Sequence, residues 1–326
     1  MPIHSITSSD NRHGGVGLVL GAGGATGAAF HAGTLLALQH DLGWDPNSAD
    51  VIVGSSAGSI IGCLLRAGLS NDDLAAWGTS AAALAPGRAA RRLLDDVGMA
   101  RHRLTPSSPT ARPASPTLLR SLLPPQRSRI HAALLTLLPD GWINAGPNLE
   151  RVGELLETWP ESRLWLTAVR MSDARRVVFG RDDIDVTPGR AVAASCAIPA
   201  MFTPVTIGDE RYIDGGAHSA TNADLLLDAG VSTAVILSPM SAQAESLGWR
   251  PDRVFRSMCR RRLDAECDQL AHAGIDVHIF EPDASTLHSM GVNALDQSRA
   301  PAVVRDSFLA AGARLAHLSD LASVLS

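Results

Sequence analysis

Lysine is absent from this chain, since all 28 of its Lys or Arg positions are arginine. Mechanisms that need a lysine ammonium or amine are therefore excluded. They include the phosphate-binding loop that ends in a lysine, Schiff-base chemistry and Ser-Lys hydrolysis. A pyridoxal-phosphate enzyme is excluded for the same reason, because its cofactor is held by a lysine amine.

The chain is also poor in cysteine and carries no excess of positive charge. The net charge of −5 gives no general attraction to nucleic acid. We expect a cytoplasmic protein with reduced thiols, without a metal or another cofactor, and the composition leaves the oligomeric state open. The thiols lack the spacing of metal ligands, and they belong to Cys63, Cys196, Cys259 and Cys267.

Long apolar runs are missing as well. The first 14 residues are polar, lack the apolar core of a signal peptide and are predicted to form a disordered tail. The most apolar stretch, residues 51–69, contains four glycines, three serines and Arg66, which argues against a membrane span. The length of residues 15–326 allows one large domain with an insertion or two domains, and we predict the first.

Two strand-loop-helix units open the predicted domain. Residues 16–20 and 51–53 are short apolar strand candidates, and each leads through a glycine-rich loop into a helical pattern. Two such units in succession are typical of a buried parallel sheet in an α/β fold. Further strands are predicted at 164–169, 176–179, 211–213, 231–237 and 277–280, and further helices at 149–158, 253–273 and 301–318.

Residues 86–131 differ from their surroundings in composition. They contain nine arginines against two acids, and six prolines lie within residues 105–125. This composition indicates an insertion between sheet elements. It is either a solvated loop with short helices or a lid whose leucines enter lipid while its arginines meet phosphates.

The second strand candidate leads into the sequence Gly54-Ser55-Ser56-Ala57-Gly58. This is the G-x-S-x-G nucleophile elbow, in which the central serine occupies a strained turn between a strand and a helix. Glycines two positions to either side let neighbouring backbone pass close to that turn. Only Ser56 fits the centre of the motif, and it is the candidate nucleophile.

The first strand candidate leads into Gly21-Ala22-Gly23-Gly24-Ala25-Thr26-Gly27. One interpretation is a dinucleotide-binding fingerprint, because two of its glycines follow a strand and an acid lies about twenty residues further on. However, the third position of that fingerprint falls on Thr26, and the G-x-S-x-G turn would be left unexplained. Glycines here also free backbone N–H groups at a helix N-terminus, as the stabilisation of an oxyanion requires.

Asp214 ends a strand candidate and precedes Gly215 and Gly216. Taken alone, an aspartate at the end of a strand is more often a turn former or a helix cap. In combination with a serine elbow and an oxyanion-type loop, it becomes a candidate catalytic group. Asn222, which precedes an acid and a run of leucines, is predicted to cap a helix.

Together these motifs resemble the pattern of the patatin-like phospholipase family. That pattern has a glycine-rich oxyanion loop, a G-x-S-x-G elbow some thirty residues later, and a D-G-G or D-G-A motif well downstream. Residues 193–204 also resemble the A-S-x-A-x-P-x-x-F-x-P segment of the family. The resemblance covers about residues 15–235 without the insertion. One departure is Thr26, which stands where the family usually carries Arg or Lys.

The resemblance implies a three-layer α/β/α fold with a central, mostly parallel sheet and a lid-like insertion. It implies a Ser-Asp dyad, in which Ser56 attacks an ester carbonyl and Asp214 accepts the proton of the serine. The N–H groups of Gly23, Gly24 and Ala25 would stabilise the oxyanion without a metal or a nucleotide. The glycines that would support these motifs are Gly21, Gly27, Gly54, Gly58, Gly215 and Gly216.

The implied partner is a lipid or another acyl ester. Peripheral membrane contact through residues 86–131 is a separate hypothesis, which rests on the local excess of arginine in that segment. Hydrolysis is one outcome of the acyl-serine chemistry. An acyltransferase would use the same intermediate and pass the acyl group to an alcohol or an amine instead of water. A catalytically silent protein of the same fold, which binds a lipid or an acyl carrier, is a third interpretation.

A Ser-Asp-His hydrolase is the competing catalytic interpretation. It would need His278 or His288 as the base, although its elbow normally follows more strands than the two that precede Ser56. His218, four residues beyond Asp214, could also lie near the site. Other histidines, such as His31 on the first predicted helix, are expected to pack in the core or face solvent.

Overall fold

The structure is a computed structural model that describes residues 14–79, 105–106, 130–318, 321 and 324–325. Residues 1–13 of the predicted tail, and residues 86–104 and 107–129 of the predicted insertion, lie outside the described residues. The disordered tail and the lid therefore stay predictions. Within the described ranges, no helix combines the length and the apolar character that crossing a bilayer requires.

An eight-stranded mixed sheet forms the centre of the fold. Its strands are β1 Gly15–Leu20, β2 Val51–Ser55, β5 Arg163–Arg170, β6 Arg176–Phe179, β7 Val205–Ile207, β8 Glu210–Asp214, β9 Val231–Leu237 and β10 Asp276–Phe280. The strand order is β10-β9-β1-β2-β5-β8-β7, and β6 also pairs with β5. A separate antiparallel ribbon joins β3 Thr105–Pro106 and β4 Ile143–Asn144.

The strands from β10 to β5 are parallel, whereas β6 and β8 run antiparallel to β5. Strand β2 pairs with β5 as far as Thr167, and β8 pairs with the next residues, which aligns Asp214 with Ala168. Strand β6 pairs with the opposite edge of β5 along both of these stretches. Strands β2 and β8 must consequently pair with the same edge of β5. The end of β8 therefore lies beside the carboxyl end of β2.

Helices connect and cover these strands. They are α1 Gly24–Leu42, α2 Ala57–Arg66, α3 Asn71–Thr79, α4 Ile130–Thr136, α5 Gly146–Glu150, α6 Pro188–Ser195, α7 Ala244–Leu247, α8 Arg253–His272, α9 Ala284–Met290 and α10 Ala300–Leu315. Short 3-10 helices lie at Pro46–Ser48, Arg151–Leu155, Gly215–Ala217, Ala223–Asp228 and Gln297–Arg299.

Alternate residues of the central strands point into two separate hydrophobic cores. Leu18 and Leu20 of β1 face the core that α1, α2 and α10 complete, whereas Val19 faces a second core with Leu263 and Leu270 of α8. The central strands are apolar on both faces because helices or loops cover both faces. This arrangement confirms the predicted three-layer α/β/α fold with a mostly parallel sheet.

Two predicted details differ from the structure. The single helix predicted over residues 149–158 is wrong, because α5 ends at Glu150 and a 3-10 helix over Arg151–Leu155 replaces its continuation. Gly153 lies in the middle of that stretch and lowers its helix propensity. The short helix α6 was not predicted, although Pro188 stands in its first turn, where a proline is favoured.

Gly58 in α2 provides a test of how closely the helix approaches β1. A Cβ built on Gly58 would lie 1.8 Å from the carbonyl oxygen of Leu20. We expect Gly58→Ala to lower the free energy of unfolding by about 3 kcal/mol or more, because two backbones would have to separate. Gly312→Ala in α10 is the matched control and should be neutral or slightly stabilising in urea titrations. Equal stability of the two variants would contradict the close approach.

Candidate active site

The turn between β2 and α2 holds Ser56 in a strained backbone conformation. Its φ of 52° and ψ of −119° are those of the first central residue of a type II′ turn, which is normally glycine. Gly54 leaves the room that this turn needs, because a Cβ there would lie 2.7 Å from Ser59 Cα. Such strain persists only where the surrounding structure enforces it, and it is common at active sites.

The carboxylate of Asp214 lies against the Ser56 hydroxyl. The hydroxyl is close enough to favour the ionised carboxylate, and Asp214 Oδ1 accepts a hydrogen bond from the Gly216 backbone N–H at 2.7 Å. Both side chains are almost completely buried. Burial raises the pKa of Asp214 to about 6, although the Ser56 hydroxyl and the Gly216 N–H oppose this rise. A carboxylate of this kind is mostly ionised at pH 7 and is a stronger base than an exposed aspartate.

A buried hydrogen-bond network centred on Asn222 lies next to this pair. The Asn222 side-chain nitrogen donates to Ser219 O at 2.7 Å and to Ser55 Oγ at 2.9 Å. Ser55 Oγ in turn lies 2.7 Å from Thr167 Oγ1 on β5. The network connects the residue before Ser56, the strand β5 and the loop that follows Asp214.

The predicted capping role of Asn222 is wrong. The residue stands at the N-cap position of the 3-10 helix Ala223–Asp228, but its side chain makes no capping hydrogen bond. Its left-handed backbone, with φ of 56°, turns the side chain toward Ser55 instead. Sequence spacing could not show this, because the two residues are 167 positions apart.

Glu266 of α8 holds the segment that carries Asn222. Its fully buried carboxylate accepts hydrogen bonds from Thr221 Oγ1 at 2.6 Å and from Ala223 N at 2.9 Å. Arg262 provides the counter-charge at 3.2 Å. Burial raises the pKa of Glu266, as expected for a carboxyl group removed from water. No sequence motif pointed to this residue, because it lies in an ordinary helical pattern.

The loop between β1 and α1 is fixed by hydrogen bonds at its first residues. Gly21 N donates to Leu237 O at 3.0 Å, and Ala22 N donates to Ala220 O at 2.7 Å. Gly21 O lies 2.8 Å from His31 Nε2. Burial lowers the pKa of His31 to about 4, so its ring is neutral at pH 7 and donates from Nε2 to this carbonyl. His31 is thus a core residue, as predicted.

Gly23 precedes α1, and Gly24 and Ala25 are its first residues. Their N–H groups consequently have no acceptor within the helix and carry the positive end of its dipole. The loop also approaches the aspartate turn, since a Cβ on Gly216 would lie 3.2 Å from Ala22 Cβ and 3.0 Å from Asp214 Oδ1. The structure therefore brings the glycine loop and the aspartate turn to the same edge of the sheet as the serine turn.

Thr26 is buried beneath a segment near the C-terminus. Its backbone N–H donates to Ala294 O at 3.0 Å, and a Cβ on Gly24 would lie 2.7 Å from the same oxygen. A long cationic side chain would not fit at this fully buried position without a local rearrangement. Pro239 packs on the other side, 2.8 Å from a Cβ built on Gly23. Packing and backbone contacts therefore order the loop without a cation at position 26.

The segment 193–204 contacts the serine turn directly. Ser195 Oγ accepts a hydrogen bond from Ser56 N at 3.0 Å, and the Cys196 thiol lies 3.6 Å from the Ser59 hydroxyl. Burial raises the pKa of the Cys196 thiol far above its ordinary value, so the group stays neutral. Sequence resemblance included this segment but assigned no role to its residues.

Of the side chains that the structure describes, the Ser56 hydroxyl perturbs the pKa of Asp214 and no histidine does. His278 belongs to β10, three strands away from β2 and thus about 14 Å from it. His288 lies in α9, and the ring of His218 contacts an arginine of α8. Among the described residues, no three His, Cys, Asp or Glu side chains are grouped as metal ligands would be.

A family model described as patatin-like phospholipase matches residues 18–227. This range spans well over half of the chain and contains the glycine loop, the serine turn and the aspartate turn. The chain therefore belongs to the patatin-like phospholipase family, which confirms the resemblance seen in its motifs. No curated protein sequence matches the chain.

Two solved structures are similar to the chain over most of its length. VipD from Legionella pneumophila is 14% identical, with a TM-score of 0.40, and the match covers 92% of this chain and 67% of VipD. The type III effector protein ExoU is 19% identical, with a TM-score of 0.39, and the match covers 91% of this chain and 53% of ExoU. The chain thus spans about two thirds and about half of these proteins.

The strain at Ser56 predicts a difference in stability between two variants. Glycine adopts a positive φ without steric cost, whereas alanine retains the strain of the native turn. We expect Ser56→Gly to be more stable than Ser56→Ala by about 1 kcal/mol in urea unfolding. A Ser56→Ala variant at least as stable as Ser56→Gly would show that the turn is not strained.

The network around Asn222 predicts a loss of stability when its amide is removed. Asn222→Gly keeps the left-handed backbone but leaves Ser219 O and Ser55 Oγ without this donor. We expect a loss of about 2 kcal/mol in the free energy of unfolding, and a larger loss for Asn222→Ala, which adds backbone strain. Gln269→Ala, which removes an exposed amide on α8, is the control and should be close to neutral. Unchanged stability of Asn222→Gly would contradict the network.

Proposed function

We propose that this protein hydrolyses carboxylic esters of lipids through a Ser56–Asp214 dyad. The observation that carries the proposal is the position of the Ser56 hydroxyl beside the buried Asp214 carboxylate, close enough to favour its ionised form. The strained backbone of Ser56, like that of an elbow nucleophile, supports the same role. Membership of the patatin-like phospholipase family supports a lipid ester as the class of substrate.

In the first half of the reaction, Ser56 Oγ attacks the ester carbonyl carbon and its proton passes to Asp214. The carbonyl oxygen becomes an oxyanion, and the N–H groups of Gly23, Gly24 and Ala25 are the donors assigned to it. When the tetrahedral intermediate collapses, the bond to the alcohol oxygen breaks. That oxygen takes the proton from Asp214, and the acyl group remains on Ser56.

In the second half, water replaces the alcohol. Asp214, again ionised, accepts a proton from the water as its oxygen attacks the acyl carbon. Collapse of the second intermediate releases the fatty acid, and the proton returns through Asp214 to Ser56 Oγ. One carboxylate can serve both steps because its burial keeps its basicity above that of an exposed aspartate.

The two side chains can be tested with a fluorophosphonate probe and a short p-nitrophenyl ester. We expect Ser56→Ala to abolish labelling and Asp214→Asn to lower kcat/KM by 100-fold or more, because a positioned base contributes about that factor. Arg190→Gln, at an exposed site, is the control. Labelling that persists in Ser56→Ala would overturn the assignment of the nucleophile.

The raised pKa of Asp214 predicts the pH dependence of the same reaction. Only the ionised carboxylate can accept the serine proton, so kcat/KM should fall tenfold per pH unit below about pH 6 and level off above it. Asp209→Asn, an exposed change in the turn that precedes β8, should leave this profile unchanged. An acidic limb near pH 4 would show that Asp214 is not the titrating base, or that its burial is not maintained in solution.

A further inference from the structure

Large apolar side chains are exposed together at the start of α8. Trp249 precedes the helix and is 102% exposed, and Val254, Phe255 and Met258 on the first two turns are at least half exposed. Val254 and Met258 are four residues apart and lie on one side of the helix, with Phe255 beside them. Val292 is also exposed. We call these five residues the α8 patch.

A hydrogen bond joins the two parts of the patch. The side chain of Arg250, which follows Trp249, donates to Gly291 O at 2.6 Å, and Gly291 precedes Val292. The first turns of α8 and the loop before Val292 therefore lie side by side. Exposed apolar groups of both segments consequently lie near one another, whereas Leu309 is exposed on a different helix, α10.

Two cations that are unpaired among the described residues lie beside the patch, although the chain as a whole carries a net charge of −5. Residues 253–263 contain five arginines, and those that form ion pairs with carboxylates are Arg256, Arg260 and Arg262. Arg253 and Arg261 are exposed, and within the described part of the chain neither forms an ion pair with a carboxylate. Arg261 follows Met258 by three residues, so the free cation lies on the same side of the helix as the apolar groups.

The patch borders the candidate active site. Val292 is two residues from Ala294, a separation of at most about 7 Å between Cα atoms. Ala294 O accepts the hydrogen bond from Thr26 N in the glycine loop. A partner bound to the patch would therefore lie next to the glycine loop, whose N–H groups are the candidate oxyanion donors.

We infer that the α8 patch docks the protein on the surface of an anionic phospholipid bilayer. Tryptophan and phenylalanine are suited to the boundary between headgroups and acyl chains, and arginines beside them attract anionic headgroups. A second copy of the chain fits less well, because a two-fold contact through the patch would gather the exposed cations Arg253 and Arg261 of both copies in one interface. Docking through the patch brings the candidate active site to the bilayer, which contains lipid esters.

The inference rests on the proposed function only for the reason why the protein would dock. Binding is therefore measured in a variant that lacks the candidate nucleophile. Full-length Ser56→Ala is sedimented with vesicles of phosphatidylcholine alone and of phosphatidylcholine with phosphatidylglycerol. We expect the Trp249→Ala/Phe255→Ala double variant to bind mixed vesicles at least tenfold more weakly. Leu309→Ala is the matched control for an exposed apolar residue outside the patch and should bind normally.

The charge contribution is tested by Arg253→Gln/Arg261→Gln in the same background. Each arginine near an anionic surface raises the binding affinity about fivefold. Loss of both should therefore lower the preference for vesicles with phosphatidylglycerol roughly thirtyfold. Arg305→Gln, an exposed arginine on α10, is the control. Equal binding of the patch variants and their controls would overturn the inference. So would light scattering that shows a dimer lost only in the patch variants, because a second copy would then occupy the patch.

Two measurements separate this inference from the proposed function and from simple unfolding. With Ser56 intact, the patch variants should melt as the wild type does and hydrolyse a short soluble ester at the wild-type rate. If every variant lacks Ser56-dependent turnover but binding still depends on the patch, the proposed function fails and docking stands. If turnover depends on Ser56 but vesicle binding ignores the patch, docking fails and the proposed function stands.

Discussion

The burial of the Asp214 carboxylate is the constraint on which the rest of the site depends. A charged group removed from water is costly unless hydrogen bonds stabilise it, and the Ser56 hydroxyl and the Gly216 N–H fulfil that need. The net effect of burial is a stronger base in contact with a hydroxyl. Both donors must stay in place, so the turns that carry them have to be rigid.

The rigid turns require strained backbone conformations, and the surrounding packing offsets the cost of that strain. Ser56 and Asn222 both have positive φ, a conformation that costs residues other than glycine of order 1 kcal/mol or more. Gly58 lets α2 press against the end of β1, and the Asn222 amide connects the strand of the serine with the loop of the aspartate. Hydrogen bonds from that loop to Glu266 then hold the loop against α8.

Residues beyond the family match complete the site. The match ends at residue 227, yet Pro239 and Ala294 pack on the glycine loop, and Glu266 lies behind the aspartate turn. The family motifs contain the candidate reacting groups, whereas the C-terminal third of the chain orders them. The same third carries the α8 patch. Because this third also packs on the glycine loop, the patch lies next to the candidate site.

The strand and glycine patterns were sufficient to predict the fold class and to single out Ser56 and Asp214. Both predictions rest on local chemistry, since buried parallel strands are apolar on both faces and a serine elbow needs small residues at fixed spacing. The burial of Thr26 under Ala294 and the contact of Asn222 with Ser55 could not be predicted. Only the tertiary structure decided them, because each joins residues more than 160 positions apart, and no local preference encodes which distant segments will meet.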